Sequence, residues 1–464
     1  MPLPFGMPDP KKQMKKLIDQ EAAPMEMILR EAIFNGFDAN ARLKHQNPDY
    51  DGDSYVFVAK DTQYPNKLRV TNIGGDYFSE DNSVNYFATI ANSCVDNDNV
   101  NKDYDKTKGR GAKISYLPHA PEGILYRSKE DEDNSIYFQA KLQPEGYYGL
   151  SDFYCEDLEG LSNFPYCPKE SFSKELQDNI GTDMVLMGRS SEDDTWESVS
   201  EACSPMNKKS KSAGFAILNY ISNRLWGPPP FPVKVQTYHS NEDNKETYGL
   251  TRSIRTCIDL KSQMQKRKVN GTFKLPKIEG VDSNIEVYYA YLDKDNQNGY
   301  TTTRGGFVGI GYKGEVYFEK KSTQSNRADL RNCGIFTKSS KWMLIAEIPD
   351  SANLSSSGDR TFLKGLDKNL IFEQIKENLP QEITDWLHDQ IETEINHSDL
   401  KSWLKEQLSC FMFPFVPSLQ GSLGGSKRTN ISQTEKNKNI VTSKKTKRQK
   451  IKESSQKLKT FDIP

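Results

Sequence analysis

Histidine and paired cysteine are what this sequence has least of. Five histidines occur in 464 residues, none in a close pair and none in an H-E-x-x-H arrangement. That argues against a histidine-ligated metal enzyme. The seven cysteines (Cys94, Cys155, Cys167, Cys203, Cys257, Cys333, Cys410) are odd in number, scattered and never spaced C-x-x-C. Such a set fits neither a disulfide framework nor a zinc site, and reads as reduced thiols. Long apolar runs are also missing: no stretch approaches the roughly 18 consecutive apolar residues of a membrane helix. The opening MPLPFGMPDPKKQMKK has no apolar core of a signal peptide. These absences predict no membrane association and a cytoplasmic protein, or a nuclear one in a eukaryotic cell.

What is present suffices for folding. Hydrophobic residues make up 35% and charged residues 27%, a polar but globular composition, and the length suits two or three domains. The net charge of −2 hides an asymmetry. Residues 421–460 carry twelve Lys and Arg against two Glu, leaving the body acidic. A block of that kind marks an interaction tail.

Along the chain, apolar residues at helical spacing predict helices over 11–18 and 25–43, the second with a stripe of Met25, Ile28, Leu29, Ile33 and Phe37. Strands are expected at 55–59 and 67–72, then a short helix and a mobile polar loop between 79 and 108. Further strands are expected at 123–127, 135–142 and 182–188. The alternation predicts an α+β fold through about residue 195. A second α/β unit over 205–368 opens with a helix at 213–226 that the Pro228–Pro230 triplet stops, followed by strands at 232–238, 285–292, 306–312, 314–318 and 342–347. One or two helices should close the chain at 369–412. Residues 418–464 have too few apolar groups to offset the entropy of ordering, and read as a disordered basic tail.

Four segments carry chemistry. In Glu31-Ala-Ile-Phe-Asn35-Gly-Phe-Asp38-Ala39, Glu31 and Asn35 share a helix face and Asp38 lies one position round from it. Leu68-Arg-Val-Thr-Asn72 runs into Ile73-Gly74-Gly75-Asp76, a turn without side-chain bulk that would let a flat base approach. Lys108-Gly109-Arg110-Gly111-Ala112-Lys113 is a polar glycine loop opening into a helix-compatible run, suited to phosphate. Thr182, in Gly181-Thr182-Asp183, places a hydroxyl at the mouth of an apolar strand.

In this order and spacing, over about residues 20–190, these segments resemble the GHKL superfamily of ATPases, which includes gyrase B-type topoisomerases, MutL-type repair proteins, ninety-kilodalton heat-shock chaperones, MORC proteins and sensor histidine kinases. The E-x-x-x-N-x-x-D-A helix motif is the most specific part. The resemblance implies a Bergerat-type α/β sandwich over residues 1–195 that binds ATP and Mg2+. Glu31 would be the general base toward water, Asn35 an oxygen ligand of Mg2+, and Asp38 a group orienting nearby waters. Lys108, Gly109, Arg110, Gly111, Ala112 and Lys113 would form a lid over the phosphates, and Gly74 would give the base room. Thr182 would bond near the adenine through a water. The pattern departs at Asn72, where the family has an Asp that accepts a bond from the adenine amino group. An Asn carbonyl can accept the same bond.

The second unit is similar to the transducer domain of the gyrase, MutL and chaperone branches. Arg327, Lys338 and Arg360 are candidates to reach the γ-phosphate. The implied function is an ATP-gated homodimer clamp acting on nucleic acid or a client protein. The alternative is a non-catalytic scaffold of the same fold. Lysines 427–459, without interleaved aromatics, suit salt-sensitive attraction to nucleic-acid phosphates, a nuclear address or a solubilising end.

Overall fold

A computed structural model describes residues 10–20, 22–79, 111–155, 159–203, 213–239, 251–276, 284–292, 306–317, 323–352, 354–357 and 362–397. The chain divides into two units, Met1–Thr393 and Glu394–Pro464. The elements below belong to the first unit, apart from the last four residues of the final helix. The expected helix near 84–90, the start of the glycine loop and the basic tail lie outside the described residues.

The first core is built on an eight-stranded mixed sheet. Its strands in chain order are β1 (Tyr55–Lys60), β2 (Leu68–Ile73), β3 (Ile124–Lys129), β4 (Ser135–Leu142), β5 (Tyr148–Leu150), β8 (Gly181–Leu186), β9 (Val233–His239) and β10 (Thr251–Thr256); a separate hairpin, β6 (Phe153–Cys155) and β7 (Gly160–Ser162), lies between β5 and β8. Across the sheet the order is β10-β9-β1-β2-β8-β3-β4-β5, antiparallel except where β1 runs parallel to β9. The helices are α1 (Pro10–Gln20), α2 (Met27–Gln46), α3 (Gly111–Tyr116), α4 (Thr195–Cys203) and α5 (Ala213–Arg224).

Alternation along the strands separates two kinds of interior. On one face Val58, Leu68, Val70, Tyr126, Met184 and Leu186 meet the apolar stripe of α2, with Ile28, Leu29, Ile33 and Phe37 buried. Burying such a stripe, at roughly 1.5–3 kcal/mol per large side chain, is what holds a helix of this length on a sheet. The other face carries charge. Arg127 forks onto Asp61 at 3.0 and 3.1 Å and lies 3.7 Å from Asp183. Asp183 in turn accepts from Thr71 at 2.6 Å and from the Ser173 hydroxyl and amide at 2.8 Å each. Burial works against the Arg127 charge, yet its hydrogen bonds and charge attraction to Asp61 raise its titration above the ordinary range.

The second core is a five-stranded sheet in the order β11-β12-β15-β13-β14: β11 (Asn270–Lys274), β12 (Glu286–Tyr291), β13 (Phe307–Tyr312), β14 (Glu315–Tyr317) and β15 (Trp342–Glu347). Its helices are α6 (Leu260–Gln265), α7 (Thr323–Asn332), α8 (Lys368–Glu377) and α9 (Gln381–His397). One face packs Leu330, Ile371, Ile375 and Leu387 from α7, α8 and α9, with Trp342 edge-on to Trp386 at 5.2 Å. The other face takes Leu260 and Met264 of α6 together with Trp226, which follows α5.

The molecule is thus mixed α and β in the α+β sense expected from the sequence. Most expected strands fall within a residue or two of those observed. The boundary expected between 195 and 205 runs through the first core, because α5, β9 and β10 join the first sheet rather than opening a separate one. β10, β11, α4, α6 and α7 had no counterpart in the sequence reading, being short or poorly periodic.

Cys155, Cys167, Cys203, Cys257 and Cys333 are free thiols, and Cys94 and Cys410 lie outside the described residues. Burial pushes the Cys167 and Cys257 thiols up to about 12, which makes them poor nucleophiles at neutral pH. Among the described residues no helix is long and apolar enough to cross a membrane, and no cluster of His, Cys, Asp or Glu could hold a metal ion.

The buried charge layer yields a stability prediction. Arg127→Met leaves Asp61 without its counter-charge in the interior and should cost about 3–5 kcal/mol. Lys169→Met, which breaks ion pairs made by an exposed lysine, should leave the unfolding midpoint unchanged. Urea denaturation of the two variants beside wild type checks both.

Candidate functional site

The apolar face of the first sheet turns polar at one end. In register across three strands stand Asn72 on β2, Thr182 on β8 and Ser128 on β3, with Val56 of β1 beyond Asn72. The Thr182 and Ser128 hydroxyls are 3.0 Å apart. Ser128 Oγ also accepts from the Phe78 amide at 2.7 Å, and the Phe78 ring packs edge-on to Tyr126 and Phe138, each at 5.5 Å. Asn72 is 8% exposed, and its carbonyl oxygen Oδ1 is buried with no hydrogen-bond partner among the described residues. A buried acceptor left unpaired costs about 1–3 kcal/mol, so it calls for a ligand or a compensating role.

The glycine turn after β2 is held in place by α2. Asn40 Nδ2 donates to the Ile73 carbonyl at 2.8 Å, the Asp76 amide donates to the Ala39 carbonyl at 2.9 Å, and Arg42 pairs with Asp76 at 3.0 Å. Gly74 adopts φ +66°, and a Cβ there would sit 2.1 Å from the Asp53 carbonyl oxygen; a Cβ on Gly75 would sit 1.9 Å from Asn72 Nδ2. Gly74 therefore excludes a side chain, and one on Gly75 would have to displace the Asn72 amide. Just beyond, the Tyr77 phenol is pushed up to about 12, chiefly because it hydrogen-bonds the Glu130 carboxylate.

Helix α2 brings its polar stripe to the same place. Gly36 lies directly over Val56, where a Cβ would approach Cγ2 to 2.7 Å, so the helix crosses the sheet next to Asn72. Asn35 and Asp38, on either side of Gly36, are half-buried there. Glu31 lies about 7–8 Å further toward the helix start and is 2% exposed. Helix α3 packs against α2, and the Ile114 carbonyl accepts from the Ala23 amide at 3.1 Å. Gly111, Ala112 and Lys113 are all buried in α3. Lys108, Gly109 and Arg110 lie outside the described residues.

Glu31 is engaged by a group the sequence reading passed over. Arg30 Nη1 donates to Glu31 Oε1 at 2.7 Å, while Nε and Nη2 of the same guanidinium fork onto Glu315 of β14 at 3.1, 3.1 and 2.7 Å. Arg224, at the end of α5, donates to Glu315 Oε1 at 2.6 Å. Burial works against the Arg30 charge, but Glu315 first and Glu31 second hold its titration well above the ordinary arginine range. The only sequence signals for this set were an arginine beside the motif glutamate and a lone glutamate in an apolar strand.

The three basic candidates expected from residues 205–368 are not seen to join this site. Arg327 is exposed on α7, Lys338 lies with Nζ 5.9 Å from the Trp386 ring, and Arg360 is outside the described residues. The structure thus sets Asn72 and Thr182 side by side at the polar end of the first core, with Gly74 in the turn that follows, and carries Asn35, Asp38 and Glu31 on the helix that packs across that sheet.

Gly74→Ala should strain the turn by at least about 1–2 kcal/mol from backbone conformation alone, more with the Asp53 contact. A lowered thermal midpoint measures the effect, and an unchanged midpoint would show that the turn relaxes freely.

Comparison with known proteins adds little to this geometry. No protein-family model matches the chain, and no curated protein matches it. A solved structure described as the N-terminal domain of a DNA repair protein aligns over 82% of this chain and 98% of its own, with a TM-score of 0.42 and 10% identity. A likeness at that level carries neither fold nor function over to this chain.

Proposed function

We propose that the chain binds ATP and Mg2+ in a Bergerat-type site of the GHKL kind on the polar end of its first core, and hydrolyses the nucleotide to drive an ATP-gated homodimer clamp. The observation that carries this reading is the buried, unpartnered Oδ1 of Asn72, set beside the hydroxyls of Thr182 and Ser128 under the Gly74–Gly75 turn.

The residues suit the ligand chemically. Asn72 Oδ1 is an acceptor at the depth where a base edge with an amino group would donate. Gly74 and Gly75 remove the bulk that would keep a flat ring away. Thr182 is placed to hold a bridging water. Asn35 offers an amide oxygen, a hard donor suited to Mg2+, which keeps several waters of its own and would neutralise phosphate charge. Asp38 would orient those waters. Glu31 supplies the carboxylate that takes a proton from the attacking water. Gly111–Lys113 would form the inner end of the lid that Lys108, Gly109 and Arg110 begin.

A second reading has its own observation. Arg30 already neutralises Glu31 in a fully buried ion pair, and Asn72 stands where an acidic group would bind adenine more strongly. Both suit a GHKL-fold scaffold that binds nucleotide without turning it over.

Steady-state hydrolysis with nucleotide binding followed in parallel separates the two. Glu31→Ala should lower kcat by about 10²–10⁴-fold with ATP still bound. Asn72→Leu should weaken binding by about 1–3 kcal/mol. Wild type that binds ATP without turnover would select the scaffold, and wild type that does not bind it would remove the nucleotide reading.

The clamp would act on nucleic acid or a client protein, with the basic tail as a nucleic-acid contact. Deleting residues 418–464 should then abolish salt-dependent retention of DNA or RNA while leaving ATP binding intact. Retention unchanged by the deletion would remove that role from the tail.

A further inference from the structure

We propose that Glu315 is a positioning residue for Glu31, acting through Arg30, so that the seating of the β13–β14 hairpin sets how the candidate base is held; this rests on the reading of Glu31 as the base.

The hydrogen bonds of Arg30 are divided unequally. Nε and Nη2 make three contacts with the Glu315 carboxylate, and Nη1 alone reaches Glu31. A planar guanidinium clamped along one edge has no freedom left to aim its remaining nitrogen. The position of Glu315 therefore dictates where Nη1 points, and with it the bond that holds Oε1 of the Glu31 carboxylate. The pairing of Arg30 with Glu31 needs such an explanation, because neighbouring side chains on a helix do not face each other. Arg30 is drawn sideways to Glu315, and its guanidinium carbon Cζ lies over the Phe34 ring, 4.2 Å from the ring centre, one turn further along α2.

Glu315 is itself fixed where β14 of the second core meets the end of α5. The hairpin turn before it, Lys313-Gly314, is left-handed at both residues, with φ of 46° and 73°. Its Gly314 carbonyl accepts from the Trp226 amide at 2.8 Å, and Glu315 forms an isolated antiparallel bridge with Leu225. Arg224 then holds Oε1 of the carboxylate. Arg30, Glu31, Glu315 and Arg224 are each 1–4% exposed, two positive and two negative, so water does little to blur the interaction. A shift of the hairpin relative to α5 reaches Glu31 through one rigid guanidinium.

The test is a kcat and KM comparison for ATP hydrolysis by the full chain as wild type, Glu315→Gln, Glu315→Asp and Arg30→Lys. Glu315→Gln should lower kcat by at least about tenfold, as sub-ångström to ångström misplacement of a reacting group does, with KM for ATP within about twofold. Glu315→Asp, which keeps the charge, should recover part of that loss. Arg30→Lys should mimic the Gln variant, because an ammonium cannot fork onto one carboxylate while reaching another. If Glu315→Gln does not fold, the Asp and Lys variants carry the same comparison. A wild type with turnover whose variants keep wild-type kcat overturns the positioning role and leaves the ATPase reading standing. A wild type without turnover overturns the reading of Glu31 as base, and this role with it.

Discussion

The candidate site depends on how closely α2 lies on the first sheet, and Gly36 sets that distance. Without a Cβ at this position the helix descends onto Val56, the register neighbour of Asn72. The Asn40 bond to Ile73 and the Asp76 bond to Ala39 follow from the same approach. A larger residue would lift the helix and part the glycine turn from it. Apolar burial along Ile28, Leu29, Ile33 and Phe37 supplies the driving force, and Gly36 supplies the geometry.

The first sheet uses its two faces for different work. Under α2 it is apolar until its last row, where Asn72, Thr182 and Ser128 interrupt the pattern. On the far face Arg69, Arg127, Asp61 and Asp183 form a buried charge layer whose members all find counter-charges. Such layers seldom add net stability over a well-packed apolar one, but they punish any register other than the native one. Asn72 and Thr182 are kept opposite each other by that register, since a slip of either strand by one residue would send its polar residue to the charged face.

Much of this was legible in the sequence, and the reasons differ by element. The periodic stripe of α2 and the alternating strands from Tyr55 to Leu186 were readable because local pattern and burial agree. The E-x-x-x-N-x-x-D spacing placed Glu31, Asn35 and Asp38 on one helix, and Asn72 and Thr182 were identified before their cross-strand pairing was known. Ser128 was not, because a serine inside a strand carries no signal until its neighbours are known. Glu315 lies 285 residues from Arg30, a separation no local pattern spans. The allegiance of α5, β9 and β10 to the first sheet was hidden for a related reason: the parallel pairing of β9 with β1 is a long-range choice that composition does not encode.

Arg30 stands between the two acids on which the functional reading turns, and this bears on why a buried charge set would bridge two cores. If the aim were stability alone, apolar residues of similar volume would serve as well or better. Four charged side chains that balance only when α2, α5 and β14 are all in place do something apolar packing does not: they make the environment of Glu31 conditional on the second core. A carboxylate held by a guanidinium that is itself forked onto Glu315 is aimed rather than free, so the direction it presents depends on where Glu315 sits. Both readings of this protein, the working ATPase and the silent scaffold, run through the same four residues: the first needs Glu31 aimed by Arg30, and the second needs it neutralised by Arg30.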